Sequence, residues 1–238
     1  MLPRLAPMLA VTAAPFDSPE YSFEVKWDGI RAMVAVETAN WRLWGRQRAE
    51  YTQRYPELDM LRRLPAGTLV DGELVAFDAR GRPDLARLLR RHGLTSAWKI
   101  GLARRCCPVH YLLFDLLYYR GHCLLQEPLR RRRDVLAEAC RRLDVAEVYF
   151  SEAVVGPGKA LYAAALVRGH EGIVAKHLAS TYRPGRRSAA WRKIKPPGQR
   201  TWFVENKRFG TSLGFPDACD PLWHDLPGSC AFGSGVHS

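Results

Sequence analysis

The order of apolar and polar residues along the chain predicts short strands interrupted by a few helices. Alternating or continuous apolar positions, bounded by turn-forming residues, predict strands at residues 21–27, 32–37, 40–44, 68–78, 109–119, 172–177 and 191–195. Apolar positions with a helical period predict helices at residues 56–64, 83–91, 128–143 and 158–168. Since the strands follow one another without regular β-α-β alternation, the order favours an α+β fold of largely antiparallel sheets with flanking helices.

The composition changes near residue 200. Residues 1–200 contain every predicted element and are long enough to bury a sizeable core. Residues 201–238 contain six charged residues with repeated Gly, Pro and Ser, and they show no clear strand period. We therefore predict one domain over residues 1–200 and a short tail over residues 201–238.

Charge narrows the classes of partner. The formal net charge is +12, and a positive field of this size favours a polyanion, with nucleic acid first and an anionic membrane surface second. The sequence has no run of 18 apolar residues and so predicts no membrane span. The one run of like charges, residues 130–133, lies early in a predicted helix. We expect it to form a solvated face, with a phosphate contact as the alternative.

The first 16 residues and the cysteines bear on the cellular compartment. An apolar stretch after Arg4 imitates a secretion signal, but Pro3 and Pro7 interrupt it and its apolar core is short. The six cysteines show no metal-binding spacing, and a disulfide framework is uncommon in a chain of this length. These features favour a reducing cytoplasm.

Lysine is the rare cation in this chain. Only 7 of the 36 basic residues are lysines, so each lysine is a candidate for chemistry that needs an amine. Lys26 ends a predicted strand beside the turn Asp28-Gly29, where the absence of a side chain lets a ligand approach the backbone. A lysine in this position can act as a nucleophile, and the alternative is an exposed lysine on a surface hairpin.

Six short motifs carry a stronger signal than any single residue. The first is K-x-D-G-x-R at residues 26–31, with Glu24 two positions before the lysine. The others are W-G-R-Q-R at 44–48, V-D-G-E-L-V-A-F-D at 70–78, Y-L-L-F-D-L-L at 111–117, E-G-I-V-A-K at 171–176 and W-R-K-I-K-P at 191–196. In this order they resemble the signature motifs of the covalent nucleotidyltransferases, a family that includes ATP-dependent DNA and RNA ligases and messenger-RNA capping enzymes.

Two details refine that resemblance. The segment Y-R-P-G-R-R-S at residues 182–188 is most similar to the ligase domain of bacterial end-joining DNA ligases. The second motif differs, because the family usually has Ser-Arg-x-Gly where this chain has Gly45 and Arg48 at the first and last positions.

The resemblance implies an adenylation domain with an ATP-grasp-like α+β fold and a reaction in three steps. Lys26 would attack ATP to form lysyl-AMP, AMP would pass to a 5′-phosphate at a nick in double-stranded DNA, and the strand would be sealed. An amine attacks phosphorus only when it is neutral, and a free lysine has a pKa of about 10.4. We therefore expect Lys193, Lys195 and a divalent metal to depress the pKa of Lys26.

The same resemblance assigns residues to the metal and to the adenine base. It implies magnesium or manganese at Glu171, and it places Glu73 on the metal or, preferably, on a ribose hydroxyl. Adenine would stack on Phe114 and donate its amino group to Glu24, which would select ATP over GTP. Lys176 would line the nucleotide pocket. For the carboxylates and Phe114, a purely structural role is the alternative.

Four further cations are assigned to phosphate and ribose. Arg31 and Arg46 resemble residues that hold the ribose and the nick phosphate, for which a bidentate guanidinium is suited. Lys193 and Lys195 would neutralise charge on the α-phosphate. Asp115 is expected to pair with a neighbouring cation and to organise the pocket.

Ligases of this family follow the motif at residues 191–196 with an oligonucleotide-binding (OB) domain that orients the leaving pyrophosphate. Only 43 residues follow Lys195, too few for a complete OB fold, so we expect this domain to be absent or supplied in trans by an end-joining or repair partner. The expected consequence is slow reaction with ATP and relatively more activity on a nick that already carries AMP. The alternatives are an RNA ligase or capping-type enzyme, and an impaired DNA-binding remnant. The expected location is the bacterial cytoplasm, in association with the nucleoid.

Overall fold

A computed structural model describes residues 1–143, 145 and 147–197. Its strands are β1 Leu9–Thr12, β2 Ser18–Val25, β3 Ile30–Val36, β4 Trp41–Gly45, β5 Thr68–Val75, β6 His110–Tyr119, β7 His122–Cys123, β8 Val148–Phe150, β9 Ala153–Gly156, β10 Ile173–His177 and β11 Arg187–Ile194. Its helices are α1 Leu85–His92, α2 Ala97–Cys106, α3 Leu129–Arg141 and α4 Gly158–Val167, with 3₁₀ turns at Thr52–Arg54 and Pro56–Arg63.

The strands form two sheets. One sheet has the order β1-β11-β10-β2-β9, and the other has the order β4-β3-β5-β6-β7, with β8 paired to β6. The β1–β11 and β6–β8 pairs are parallel, and the other pairs are antiparallel. The predicted α+β fold with largely antiparallel sheets is therefore confirmed.

Both faces of the second sheet are buried, which positions it as the centre of the domain. On β3, Val34 packs into the core beneath the helices, and Met33 faces the opposite core. That second core also contains Trp44 from β4, Phe114 from β6 and Trp191 from β11. Because alternate residues of a strand point to opposite faces, β3 contributes to both cores and the two sheets are held together.

Most of the predicted elements are present in the structure. Residues 56–64 were predicted as a helix, and residues Pro56–Arg63 form a 3₁₀ helix rather than an α-helix. Pattern analysis missed β1, α2, β7, β8 and β9, and β11 begins four residues before the predicted strand. The apolar stretch that imitates a secretion signal is β1, which pairs in parallel with β11. Short strands such as these leave too few residues to show a period.

The prediction of a solvated face for residues 130–133 is wrong for half of the run. Arg130 and Arg131 are exposed, but Arg132 and Arg133 are buried. The reason is that α3 packs on β6, where Asp115 accepts from Arg132 and the carbonyl oxygen of Phe114 accepts from Arg133. The carboxylate of Glu24 on the neighbouring β2 also accepts from Arg133. The helix therefore turns two of the four arginines in this run toward the protein interior.

The predicted domain boundary at residue 200 and the tail at residues 201–238 lie outside the described residues, and so does the expectation about an OB domain. Among the helices that the structure describes, none combines the length and the apolar character needed to cross a bilayer.

Candidate active site

A cavity of about 210 Å³ is lined by residues of both sheets. Strands β2, β10 and β11 of the first sheet and β3, β5 and β6 of the second contribute to its walls. Eight of the predicted site residues line it, namely Glu24, Lys26, Arg31, Arg46, Glu73, Phe114, Lys176 and Lys193. The fold thus brings together residues that are up to 169 positions apart in the sequence, from Glu24 to Lys193.

Lys26 lies immediately after the end of β2 and is held there by its backbone. Its N–H donates to the carbonyl oxygen of Gly172 at 2.9 Å. Gly172 has a φ of 142°, and a Cβ at this position would collide with the carbonyl oxygen of Ile194. A glycine is therefore required where the chain before β10 passes between the end of β2 and β11.

The ammonium group of Lys26 forms an ion pair with Glu171, and the same carboxylate pairs with Lys195. Glu171 and Lys195 do not line the cavity directly, but this shared contact places both beside Lys26. Burial lowers the pKa of Lys26, while the nearby carboxylates of Glu73 and Asp28 raise it in opposition. The net direction is downward, toward the neutral amine that a nucleophile requires.

The cause of this shift differs from the sequence prediction. Lys193 and Lys195 were expected to depress the pKa of Lys26, but burial is the largest cause, and the hydrogen bond with Lys195 raises it. The repulsion between the positive charges instead lowers the pKa values of the neighbouring lysines. Burial and the charge of Lys26 lower the pKa of Lys195 to about 8, and burial, Arg187 and Lys26 lower the pKa of Lys193.

Glu24 and Lys176 form a buried ion pair at the inner end of the cavity. The Lys176 ammonium lies 2.8 Å and 3.0 Å from the two carboxylate oxygens of Glu24. It also lies 4.0 Å from the ring centroid of Phe114, which is 6% exposed, and the Arg31 guanidinium lies 4.4 Å from the same centroid. Part of the Phe114 ring is therefore already covered by cations, and an adenine stacked on it would compete with them.

Arg31 is fixed by a buried network that sequence reasoning missed. Its guanidinium donates to both oxygens of Asp71, at 2.5 Å and 2.6 Å. The Tyr182 hydroxyl donates to the same carboxylate and accepts from the backbone N–H of Met8 at 2.9 Å. Asp71 and Tyr182 belong to the motifs at residues 70–78 and 182–188. Membership in these motifs was the one sequence signal that they could have a role in fixing Arg31.

Glu73 is the second carboxylate of the cavity. It lies opposite Arg31 in the pairing of β3 with β5. Burial raises the pKa of Glu73 to about 7, although Arg31 and Lys26 act against this rise. Near neutral pH this group therefore changes between a hydrogen-bond donor and an acceptor-only carboxylate.

The carboxylates suit a divalent metal of the magnesium type. Among the described residues, no group of three or more His, Cys, Asp or Glu forms a ready-made metal cage. Magnesium in nucleotide sites is typically held by one or two carboxylates together with substrate phosphates and water. Glu171, which pairs with Lys26, and Glu73, which lines the cavity near it, match that requirement.

The second motif departs from its family at a strained residue. Arg46 follows β4, is exposed and lines the cavity. Two residues later, Arg48 has a φ of 64°, in the left-handed region that favours glycine. The glycine that the family usually has at this position matches the conformation that Arg48 adopts.

The titration of these groups predicts a bell-shaped pH profile for any reaction in which Lys26 acts as a neutral nucleophile. We expect kcat/KM to rise with pH as Glu73, with a pKa of about 7, and Lys26 lose their protons, and to fall as Lys195, with a pKa of about 8, loses its charge. Lys195→Arg keeps its charge and should extend the falling limb to higher pH, whereas Lys159→Arg, at an exposed site, should leave the profile unchanged. A falling limb unaffected by Lys195→Arg would contradict this assignment.

Comparisons with known proteins give consistent matches over most of the described residues. Residues 4–195 match the model of the ATP dependent DNA ligase domain. The chain is 36% identical over 182 residues to a DNA ligase of Methanothrix thermoacetophila, covering 73% of this chain and 32% of the relative. It is 33% identical over 195 residues to the multifunctional non-homologous end joining protein LigD of Mycobacterium bovis, covering 80% of this chain and 24% of the relative. The chain thus spans about a quarter to a third of the length of these curated relatives.

Solved structures give the same result. A mycobacterial DNA ligase D, solved with ATP and MES, is 31% identical, with a TM-score of 0.68 over 80% of this chain and 60% of that one. A Chlorella virus DNA ligase-adenylate is 18% identical, with a TM-score of 0.56 over 80% of this chain and 68% of that one, and this similarity shows the fold alone.

Proposed function

The chain belongs to the ATP-dependent DNA ligase family, and from that premise we propose that it is the adenylating part of a ligase that acts through Lys26. The neutral amine of Lys26 attacks the α-phosphorus of ATP, so a P–N bond forms and the bond to the leaving pyrophosphate breaks. The proton lost from Nζ has an adjacent acceptor in Glu171. The observation that carries this proposal is the position of Lys26, half-buried at a strand end in the cavity and paired with Glu171.

The remaining steps join DNA. AMP passes from Lys26 to the 5′-phosphate of a nicked duplex, and the adjacent 3′-hydroxyl then attacks that phosphate and releases AMP. Lys193 and Arg46 lie beside Lys26 in the cavity and are suited to hold phosphate oxygens during both transfers. Glu171 and Glu73 would hold magnesium or manganese, which would polarise a phosphoryl oxygen and neutralise its charge.

The direct test uses the 238-residue chain and two substrates. ATP carrying a radioactive α-phosphate should label Lys26 in an adduct that is stable to alkali and labile to acid, and a nicked DNA duplex should then be sealed. A nick that already carries AMP isolates the sealing step from the labelling step. Sealing of nicked RNA, or labelling by GTP in place of ATP, would instead support an RNA ligase or a capping-type enzyme.

Duplex binding should depend strongly on salt. Each phosphate contact by a cation releases a counterion, so a site with several contacts should lose about 100-fold in affinity between ~50 mM and ~200 mM salt. Binding should also be largely independent of sequence. Arg46→Gln is expected to reduce the slope of log affinity against log salt concentration by about the amount that one phosphate contact contributes. An affinity that does not change with salt would show that the charge of +12 is only compositional.

A further inference from the structure

Arg133 is a buried arginine that contacts the walls of the cavity from behind. Its side chain on α3 is 10% exposed. The guanidinium donates to Oε1 of Glu24 at 2.9 Å, to the carbonyl oxygen of Phe114 at 3.2 Å and to the carbonyl oxygen of Ser151 at 2.7 Å. It also lies 4.6 Å from the ring centroid of Phe150. One side chain thus connects α3 to β2, to β6 and to the residue that follows β8.

The contacts of Glu24 leave one of its acceptor positions open among the described residues. Oε1 accepts from Arg133 at 2.9 Å and lies 2.8 Å from the ammonium of Lys176. Oε2 accepts from Lys176 at 3.0 Å. Each carboxylate oxygen offers about two lone pairs, so Oε1 is filled and Oε2 retains one. Because Glu24 lines the cavity, that lone pair is available to a donor on a bound ligand.

Arg133 and Lys176 do not constrain Glu24 equally. The ammonium of Lys176 is a rotatable point charge that approaches both oxygens, so it does not determine which of them faces the cavity. The guanidinium of Arg133 is planar and is anchored by two backbone carbonyls, and it reaches Oε1. The orientation of the Glu24 carboxylate therefore depends on Arg133.

We propose that Arg133 is a positioning residue for nucleobase selection, which orients Glu24 so that Oε2 accepts from the exocyclic amino group of adenine. This inference rests on the proposed function. An adenine presents a donor at C6, whereas hypoxanthine presents an acceptor there, which would face the lone pair of Oε2. A site built to bond a particular donor strongly rejects an analogue that lacks it.

The test compares labelling of Lys26 by ATP and by inosine triphosphate (ITP), in which the C6 amino group is replaced by a carbonyl and the adjacent N1 carries a proton. In the unmodified chain ATP should react with the higher kcat/KM. In Arg133→Met, Glu24 loses its fixed orientation, so the ratio of the two values should fall by at least about tenfold, mainly through a rise in KM for ATP. Arg133→Lys keeps the charge but cannot reach three acceptors, and its ratio should lie between the other two.

Arg91→Met is the matched control. Arg91 is also a buried arginine, paired with Glu57 at 3.1 Å and absent from the cavity lining. Its loss should lower the thermal midpoint without changing the ratio of ATP to ITP. Equal losses with both nucleotides in Arg133→Met, or in Arg133→Lys where the first variant does not fold, would overturn the inference. An unmodified chain that is labelled by neither nucleotide would overturn the proposed function itself.

Discussion

Lys26→Ala should abolish formation of the lysyl-AMP adduct while leaving the fold intact. Lys26 follows the last residue of β2, and its side chain supplies the amine that faces both the cavity and Glu171. Lys26→Arg should be equally inactive, because a guanidinium is not deprotonated at working pH and cannot attack phosphorus. Both variants are measured by uptake of label from ATP that carries a radioactive α-phosphate.

Lys159→Ala is the control for this experiment. Lys159 is exposed at the start of α4, and its ammonium lies 3.9 Å from Asp17. This variant should take up label as the unmodified chain does. Lys26→Ala, Lys26→Arg and Lys159→Ala should have the same circular dichroism spectrum, and their thermal midpoints should differ by no more than is usual for surface substitutions. Labelling of Lys26→Ala at the unmodified stoichiometry would rule out Lys26 as the nucleophile.

Arg132→Met should produce the largest loss of stability among single substitutions near the site. Arg132 and Asp115 are both fully buried, and the guanidinium donates to the two carboxylate oxygens at 2.7 Å and 2.9 Å. Removing the arginine leaves a buried carboxylate without its charge partner, which typically costs about 3–5 kcal/mol. For a domain of this size the thermal midpoint should fall by roughly 10 °C.

A double substitution separates the cost of an unpaired charge from the value of the pair. Asp115→Leu combined with Arg132→Met removes both charges, so it should recover part of the stability lost in Arg132→Met. Arg131→Met, at the exposed neighbour, should change the free energy of unfolding by less than about 0.5 kcal/mol. If Arg132→Met behaved like Arg131→Met in chemical denaturation, the buried pair would not contribute to stability.

Local sequence was sufficient for most of the longer strands and for eight residues that line the candidate site. Strands β2, β3, β4, β5 and β6 have enough consecutive apolar or alternating positions to be recognised, and all five lie where the pattern predicts them within a few residues. The motif residues were found because six short motifs resemble, in the same order, the signature motifs of a known family. Glu24, Lys26, Glu73 and Lys176 were named on this basis, and all four line the cavity.

Contacts between residues that are distant in sequence could not be predicted from local patterns. Arg132 and Arg133 look like part of a solvated charge run, and only the packing of α3 on β6 shows that Asp115 and Glu24 bind them. A helix pattern records which residues share a face, but it does not record whether the neighbouring strand offers acceptors to that face.

The sequence by itself determined the α+β class, the order of the strands along the chain and the residues of the adenylation motifs. The tertiary structure alone decided that burial, more than neighbouring lysines, lowers the pKa of Lys26. It also decided that β1 is a strand, since its few residues are stabilised by pairing with β11 near the other end of the described chain. The physical reason is the same in both cases. Desolvation and strand pairing depend on contacts between residues that are distant in sequence, and a local pattern of residues does not show which distant residues will be in contact.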